Sequence, residues 1–196
     1  MTVEPLPAPM AERRTEQLED DTRVDALTGR LGEVARMVLP GGRLLEELRG
    51  RSIGHALHPL MTDMPLGAWI GATVLDLTGP HKHADAARRL VGAGVLFVVP
   101  TALSGLADWS GLSSAESRRV GAVHAALNAA AGTLYGTSWL LRRGGRTTSG
   151  VVVGLLGGAV VSVSGYLGGH LTLRRGEPGA SGQRDGVEQI DDWPEG

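Results

Sequence analysis

Four stretches of mainly apolar and small residues dominate the second half of the chain. They cover residues 59–79, 90–109, 120–141 and 150–173. Each has roughly the 20 residues that a helix needs to cross about 30 Å of hydrocarbon. Charged residues gather in the short connections, and the stretches lack the polar stripe that a helix of a soluble bundle carries. The pattern predicts an all-α fold, an antiparallel four-helix transmembrane bundle.

The segments on either side of these stretches have a different pattern. Over residues 22–50, apolar positions recur at helical spacing with arginines and glutamates between them. This predicts an N-terminal amphipathic helix that lies at the membrane interface or packs on the bundle. Residues 1–21 and 177–196 are polar and rich in charge, and we expect them to form disordered tails. The four-span domain is therefore expected over residues 51–176.

Composition excludes several functional classes. The chain has no cysteine, so it can form no disulfide, thiolate metal site or cysteine-held iron–sulfur cluster. A net charge of -2 gives no basic face for nucleic acid. No nucleophile elbow, P-loop or HExxH motif is present, so any activity is expected to be redox or electron transfer.

The segment at the amino terminus has no apolar run followed by a small-residue cleavage site, so we expect no cleaved signal peptide. The apolar spans themselves then direct insertion, and we expect a multi-pass protein of the plasma membrane in contact with lipid. Arginines are slightly more numerous on the side that the amino terminus would share. This excess favours a cytoplasmic amino terminus.

Ionisable and polar residues inside the predicted spans converge on one membrane face. In an antiparallel bundle, the starts of the first and third spans and the ends of the second and fourth share a face. Ionisable groups at membrane depth are costly and therefore indicate function. The cofactor-binding candidates at this face are His58, His124, Asn128, Tyr166 and His170. The candidate ligands of a single metal ion are His58, Asp63, Asp108, His124 and His170.

Three kinds of chemistry suit such a layer. Two histidines on different helices can supply both axial ligands of a haem b, and we expect His124 and His170 in this role, with His58 competing. A single transition-metal ion bound by imidazoles and carboxylates is the second reading. The third is a cofactor-free protein, either a structural partner subunit or a small proton or ion conductor that uses Asp63, Asp108 and His124.

Several motifs match a known family together. They are SIGHALHPLMTDMPLGAWIGATVLDL, PTALSGLADW, RRVGAVHAALN and VSGYLGGHLTLRRG. Over about residues 54–176 the chain resembles an uncharacterised family of bacterial four-helix membrane proteins, a domain of unknown function with an HxxHP motif. Where family members commonly read HPLHP, this chain reads HALHP, which keeps His55 and His58.

The resemblance implies membrane redox chemistry, since many relatives are fused to a Rieske iron–sulfur domain. A Rieske-type or other redox protein is therefore an expected partner, and a homo-oligomer is a further possibility. The residues that match the family pattern are His58, Asp63, Asp76, Asp108, His124 and His170.

Overall fold

A computed structural model describes residues 9–177 of the chain. In this part all regular structure is helical, with seven α-helices and no strand. The helices are α1 (Met10–Asp20), α2 (Asp25–Val38), α3 (Gly42–Leu48), α4 (Leu57–Thr78), α5 (Ala84–Ser110), α6 (Ala115–Arg143) and α7 (Thr147–Gly169). A π-helical turn, His170–Arg174, continues α7.

The N-terminal helices pack against one end of the long helices. α1 contacts α6, α2 contacts α5 and α6, and α3 contacts α5. In α2, Ala35 is buried against Trp109 and Leu112. The amphipathic segment expected over residues 22–50 is split because α2 ends at Val38 and α3 begins only at Gly42.

Residues 10–20 differ from the expected disordered tail, because they form α1. The helix is held by charged partners that lie far away in the chain: Glu12 pairs with Arg174 at 2.5 Å and Glu19 with Arg175 at 2.7 Å. The sequence of this segment shows its charged residues, but it does not show that they pair with arginines at the other end of the chain. The remaining residues of the two expected tails, 1–8 and 178–196, lie outside the described residues.

The four long helices form two antiparallel hairpins, which we call hairpin A (α4 and α5) and hairpin B (α6 and α7). In hairpin A the indole of Trp69 donates to the carbonyl oxygen of Val91 at 3.4 Å. In hairpin B the hydroxyl of Ser138 donates to the carbonyl oxygen of Gly150 at 2.6 Å. Between the hairpins, α5 packs closely on α6, whereas α4 touches α7 over only a few residues.

Two of the described helices are long and apolar enough to cross a membrane, judged by length and composition alone. They are Ala84–Ser110 and Thr147–Arg174. α4 and α6 carry more polar residues, since Asp76 lies in α4, and His124 and Arg142 lie in α6. These polar side chains are turned toward the other hairpin, which keeps them inside the protein.

Aromatic stacking and a buried ion pair join the hairpins. Trp69 stacks on Tyr135 with ring centroids 3.9 Å apart. Near the opposite end of the helices from α1, the guanidinium of Arg142 donates to both carboxylate oxygens of Asp76, at 2.9 and 2.6 Å. The side chains of this pair are only 2% and 4% exposed. Such a bidentate pair fixes the relative position of α4 and α6.

Candidate functional site

His58 and His124 meet between the two hairpins. His58 lies in the first turn of α4 and His124 in the third turn of α6. Their imidazole centroids are 6.1 Å apart, and the ring planes are perpendicular. The sequence analysis placed both residues at this face of the protein, and the structure brings them into contact.

The same kind of hydrogen bond orients both imidazoles. Nδ1 of His58 lies 2.9 Å from the carbonyl oxygen of Thr101, and Nδ1 of His124 lies 2.8 Å from that of Ser164. Because a carbonyl oxygen only accepts, each Nδ1 carries the hydrogen and donates it. Each Nε2 is left with its lone pair. Histidines that bind metals usually have this arrangement, in which a backbone carbonyl fixes the tautomer and the ring orientation.

A glycine in the neighbouring helix makes room for each ring. A Cβ atom added to Gly105 would lie 2.7 Å from Cε1 of His58. One added to Gly168 would lie 3.0 Å from Cε1 of His124. Both glycines therefore allow an imidazole to lie against the backbone of the adjacent helix, where its Nδ1 reaches a carbonyl one turn earlier.

The two Nε2 atoms have different surroundings. The amide nitrogen Nδ2 of Asn128 lies 2.9 Å from Nε2 of His124, which accepts its hydrogen. The hydroxyl of Ser164 lies 2.9 Å from Oδ1 of Asn128, to which it donates. His58 has no hydrogen bond to Nε2 within the described part of the chain. Ser164 was not among the candidates predicted from the sequence, although its spacing of four from Gly168 places both on one face of α7.

His170 does not join this pair. Its Nε2 lies 2.7 Å from Oε1 of Glu19 in α1. Positions 168 and 170 are about 200° apart around a helix, so a helix that presents Gly168 to His124 turns His170 away. His124 and His170 therefore do not face each other in this structure, as their expected pairing as ligands would require. The hydrogen bond from Arg175 holds the pKa of Glu19 below its ordinary value, and His170 adds to this effect.

The other candidate residues lie apart from the histidine pair. Asp63 is exposed on α4, and Tyr166 is 44% exposed on α7. Asp108 is buried at the end of α5, where its Oδ2 has no hydrogen-bond partner among the described residues and Arg49 is the nearby charge. Among residues 9–177, no three His, Asp or Glu side chains form a group that could hold a metal ion.

Comparison with known proteins identifies the family of the chain. Residues 54–177 match the family described as "Predicted membrane protein (DUF2231)". The chain belongs to this family. Searches of curated proteins and of solved structures gave no match. The resemblance seen in the sequence is thereby confirmed as membership of a family of membrane proteins.

The DUF2231 match covers both hairpins and the connections between them. It includes the histidine pair, the two glycines beneath the rings and the ion pair between Asp76 and Arg142. Helices α1 to α3 precede the matched residues. The DUF2231 part of this chain therefore contains both histidines of the pair and the glycines and carbonyls that position them.

Proposed function

We propose that this protein crosses the plasma membrane four times, with a cytoplasmic amino terminus, and binds a haem b between His58 and His124 for electron transfer. The observation that carries the proposal is the paired imidazoles, each fixed at Nδ1 by a backbone carbonyl. A haem iron held by two histidines would supply reversible one-electron chemistry at this membrane face.

The outward faces of the long helices support four crossings. Large apolar side chains are exposed on α4 and on the two helices that are apolar throughout, and Leu140 is exposed on α6. Examples are Ile70, Leu77, Leu96, Leu140 and Val163, with exposed fractions of 62%, 72%, 78%, 62% and 56%. Exposed apolar surface of this extent is typical of contact with lipid. The ionisable residues of α4 and α6 that point inward do not oppose this reading, since Asp76 and Arg142 neutralise each other.

The donor set favours haem over a bare metal ion. His58 and His124 are the two imidazoles that would hold the iron, and their ring centroids are 6.1 Å apart. Two imidazoles with no third protein ligand would suit a haem, whereas a bare ion would need further protein ligands. The sparse contact between α4 and α7 is the side at which a planar group could enter.

Asn128 favours the second candidate function, a cofactor-free structural subunit or proton conductor. Its amide donates to the same Nε2 of His124 that would bind iron. Haem binding therefore requires that this hydrogen bond is broken. In the cofactor-free protein the bond would instead be kept and would hold Asn128 in place to accept the hydrogen bond from Ser164 of α7.

Absorption spectroscopy of detergent-purified protein from haem-replete cells tests the proposal, with haemin titration of the same sample. We expect a Soret band that His58→Ala and His124→Ala each abolish. The matched control is His170→Ala, which removes a histidine at the same end of the protein but leaves the pair intact, and it should retain the band. Asn128→Ala should also retain the band or strengthen haemin binding.

A colourless protein that takes up no haemin would contradict the haem proposal. Loss of the band in His170→Ala together with its retention in His58→Ala would contradict the choice of ligands. If haem is bound, a membrane redox protein such as one with a Rieske domain is the partner we propose. Oxidation of reduced protein by such a partner in stopped-flow mixing is the corresponding measurement.

A further inference from the structure

Three pairs of side chains connect the hairpins, and the same spacing in the chain separates the members of each. The pairs are His58 with His124, Trp69 with Tyr135, and Asp76 with Arg142. In every pair the second residue follows the first by 66 positions. Two helices that run side by side in the same direction keep a constant offset because their rise per residue is equal. The indication of a relation between the hairpins is that the partners also match in chemistry, imidazole with imidazole and aromatic ring with aromatic ring.

Contacts inside the hairpins repeat as well, at a second constant offset. The carbonyls that orient the two imidazoles belong to Thr101 and Ser164, and the glycines beneath the rings are Gly105 and Gly168. Ser164 follows Thr101 by 63 positions, and Gly168 follows Gly105 by the same number. The offset falls by three because the connection from α6 to α7, residues 144–146, is two residues shorter than that from α4 to α5, residues 79–83, and because α6 ends one equivalent position earlier than α4.

The aromatic residues follow the same rule. A Cβ atom added to Gly94 would lie 2.2 Å from Nε1 of Trp69. A Cβ atom added to Gly157, again 63 positions later, would lie 3.0 Å from the ring of Tyr135. Each hairpin thus places a flat ring of its first helix against a glycine of its second helix at two successive levels.

We infer that hairpins A and B are a tandem duplication of one helical hairpin and are related by an approximate two-fold axis that runs between α4 and α6. Residues that face their own counterpart must lie at such an axis, and the three cross-hairpin pairs meet this condition. The duplication does not depend on any bound group, so its test is independent of the haem proposal.

The Asp76–Arg142 pair makes the interface between the halves selective. Two copies of the same hairpin paired about this axis would place Asp against Asp or Arg against Arg in a buried position. Like charges there are strongly unfavourable. The interface of hairpin A therefore fits a hairpin with a basic residue opposite Asp76, as hairpin B has in Arg142. Pairing with a second hairpin A is unfavourable.

The residues that surround Arg142 differ from those at the equivalent positions around Asp76. Its Nε lies 3.2 Å from the hydroxyl oxygen of Ser138, and a Cβ on Gly150 would lie 2.6 Å from its Cγ. The equivalent positions beside Asp76 are Ala72 and Ala87, which are buried. A reversed ion pair would consequently need a serine at position 72 and a glycine at position 87.

A charge-reversal series in the full-length protein tests the duplication, with size-exclusion chromatography and thermal unfolding in detergent as readouts. Asp76→Arg and Arg142→Asp alone should each lose the monodisperse peak. The double variant Asp76→Arg/Arg142→Asp should recover it in part. Adding Ala72→Ser and Ala87→Gly to the double variant should raise its Tm further. The same two substitutions in the wild-type background are the matched control and should lower Tm.

The inference is overturned if the fourfold variant fails to recover a folded monodisperse protein. It is also overturned if Ala72→Ser/Ala87→Gly shifts Tm equally in the wild-type and reversed backgrounds, because the two positions then do not correspond to Ser138 and Gly150. Recovery that depends on both alanine replacements is the result that two equivalent halves predict.

Discussion

Two glycines determine how close each imidazole comes to the neighbouring helix. At Gly105 the ring of His58 takes the place that a side chain would occupy, and at Gly168 the ring of His124 does the same. The absence of a Cβ atom is what lets each Nδ1 reach a carbonyl oxygen. At the residue scale, the site therefore depends as much on these glycines as on the histidines.

We predict that Gly105→Ala destabilises the protein by about 1–3 kcal/mol, because a new Cβ would overlap the His58 ring and force it or the helices apart. Thermal unfolding in detergent measures the loss. Gly136→Ala is the control, since a Cβ added to Gly136 meets nothing within 4 Å. It should leave Tm unchanged or raise it. Equal effects of the two alanines would contradict the close packing of His58.

The sequence identified the histidines but not all of their partners. His58, His124 and Asp76 stand out because ionisable residues are rare in apolar spans. Arg142 was not selected, because it follows a span and reads as part of a polar connection. Ser164 was missed because a single serine in a membrane helix carries no signal until its partner helix is known.

At the scale of elements, α1 is attached to the long helices mainly through charge. Glu12 pairs with Arg174, Glu19 with Arg175 and His170, and the following Asp25 with Arg119. The apolar contribution is small, with Leu18 packed against the Val120 cluster. We therefore expect the position of α1 to depend on pH and on salt concentration.

We predict that α1 leaves the long helices in acid. The pKa of Glu19 is lowered in the docked state, so its stabilising effect is complete above about pH 4.5, its ordinary value, and is lost as the pH falls through the lowered pKa. The distance between spin labels on Gln17→Cys and Ala115→Cys should increase over this range.

Glu19→Gln is the control for this experiment, because Glu19 is not alone in having a lowered pKa in this region. The hydrogen bond from Arg119 also lowers the pKa of Asp25. With Glu19→Gln the spin-label distance should already be longer at neutral pH. An unchanged distance from pH 7 to pH 3 in both proteins would show that charge does not hold α1.

Helix positions were predictable wherever a helix is apolar along its length. The expected spans at 90–109 and 150–173 lie within α5 and within α7 with its π-turn. α1 was not predictable, since a polar 11-residue segment is not a stable helix alone and gains its partners only in the folded protein. The constant offset between the hairpins is hidden in the sequence because few of the equivalent residues are identical.

At the scale of the whole molecule, every feature of the site requires alternating helix directions. His58 and His124 lie in helices that run in the same direction, and α5 returns the chain between these two helices. If any long helix ran in the opposite direction, equivalent positions of the two hairpins would not lie at the same level. The antiparallel topology of the long helices is therefore the property on which the paired histidines and the two related halves both depend.

The absence of cysteine makes this topology directly measurable. Single cysteines introduced at Lys82, Ser113 and Gly144, one in each connection between the long helices, are treated in intact cells with a membrane-impermeant maleimide. We predict that the cysteines at 82 and 144 are labelled from outside, while the cysteine at 113 is labelled only after the cells are permeabilised. Labelling of positions 82 and 113 from the same side would contradict four alternating crossings.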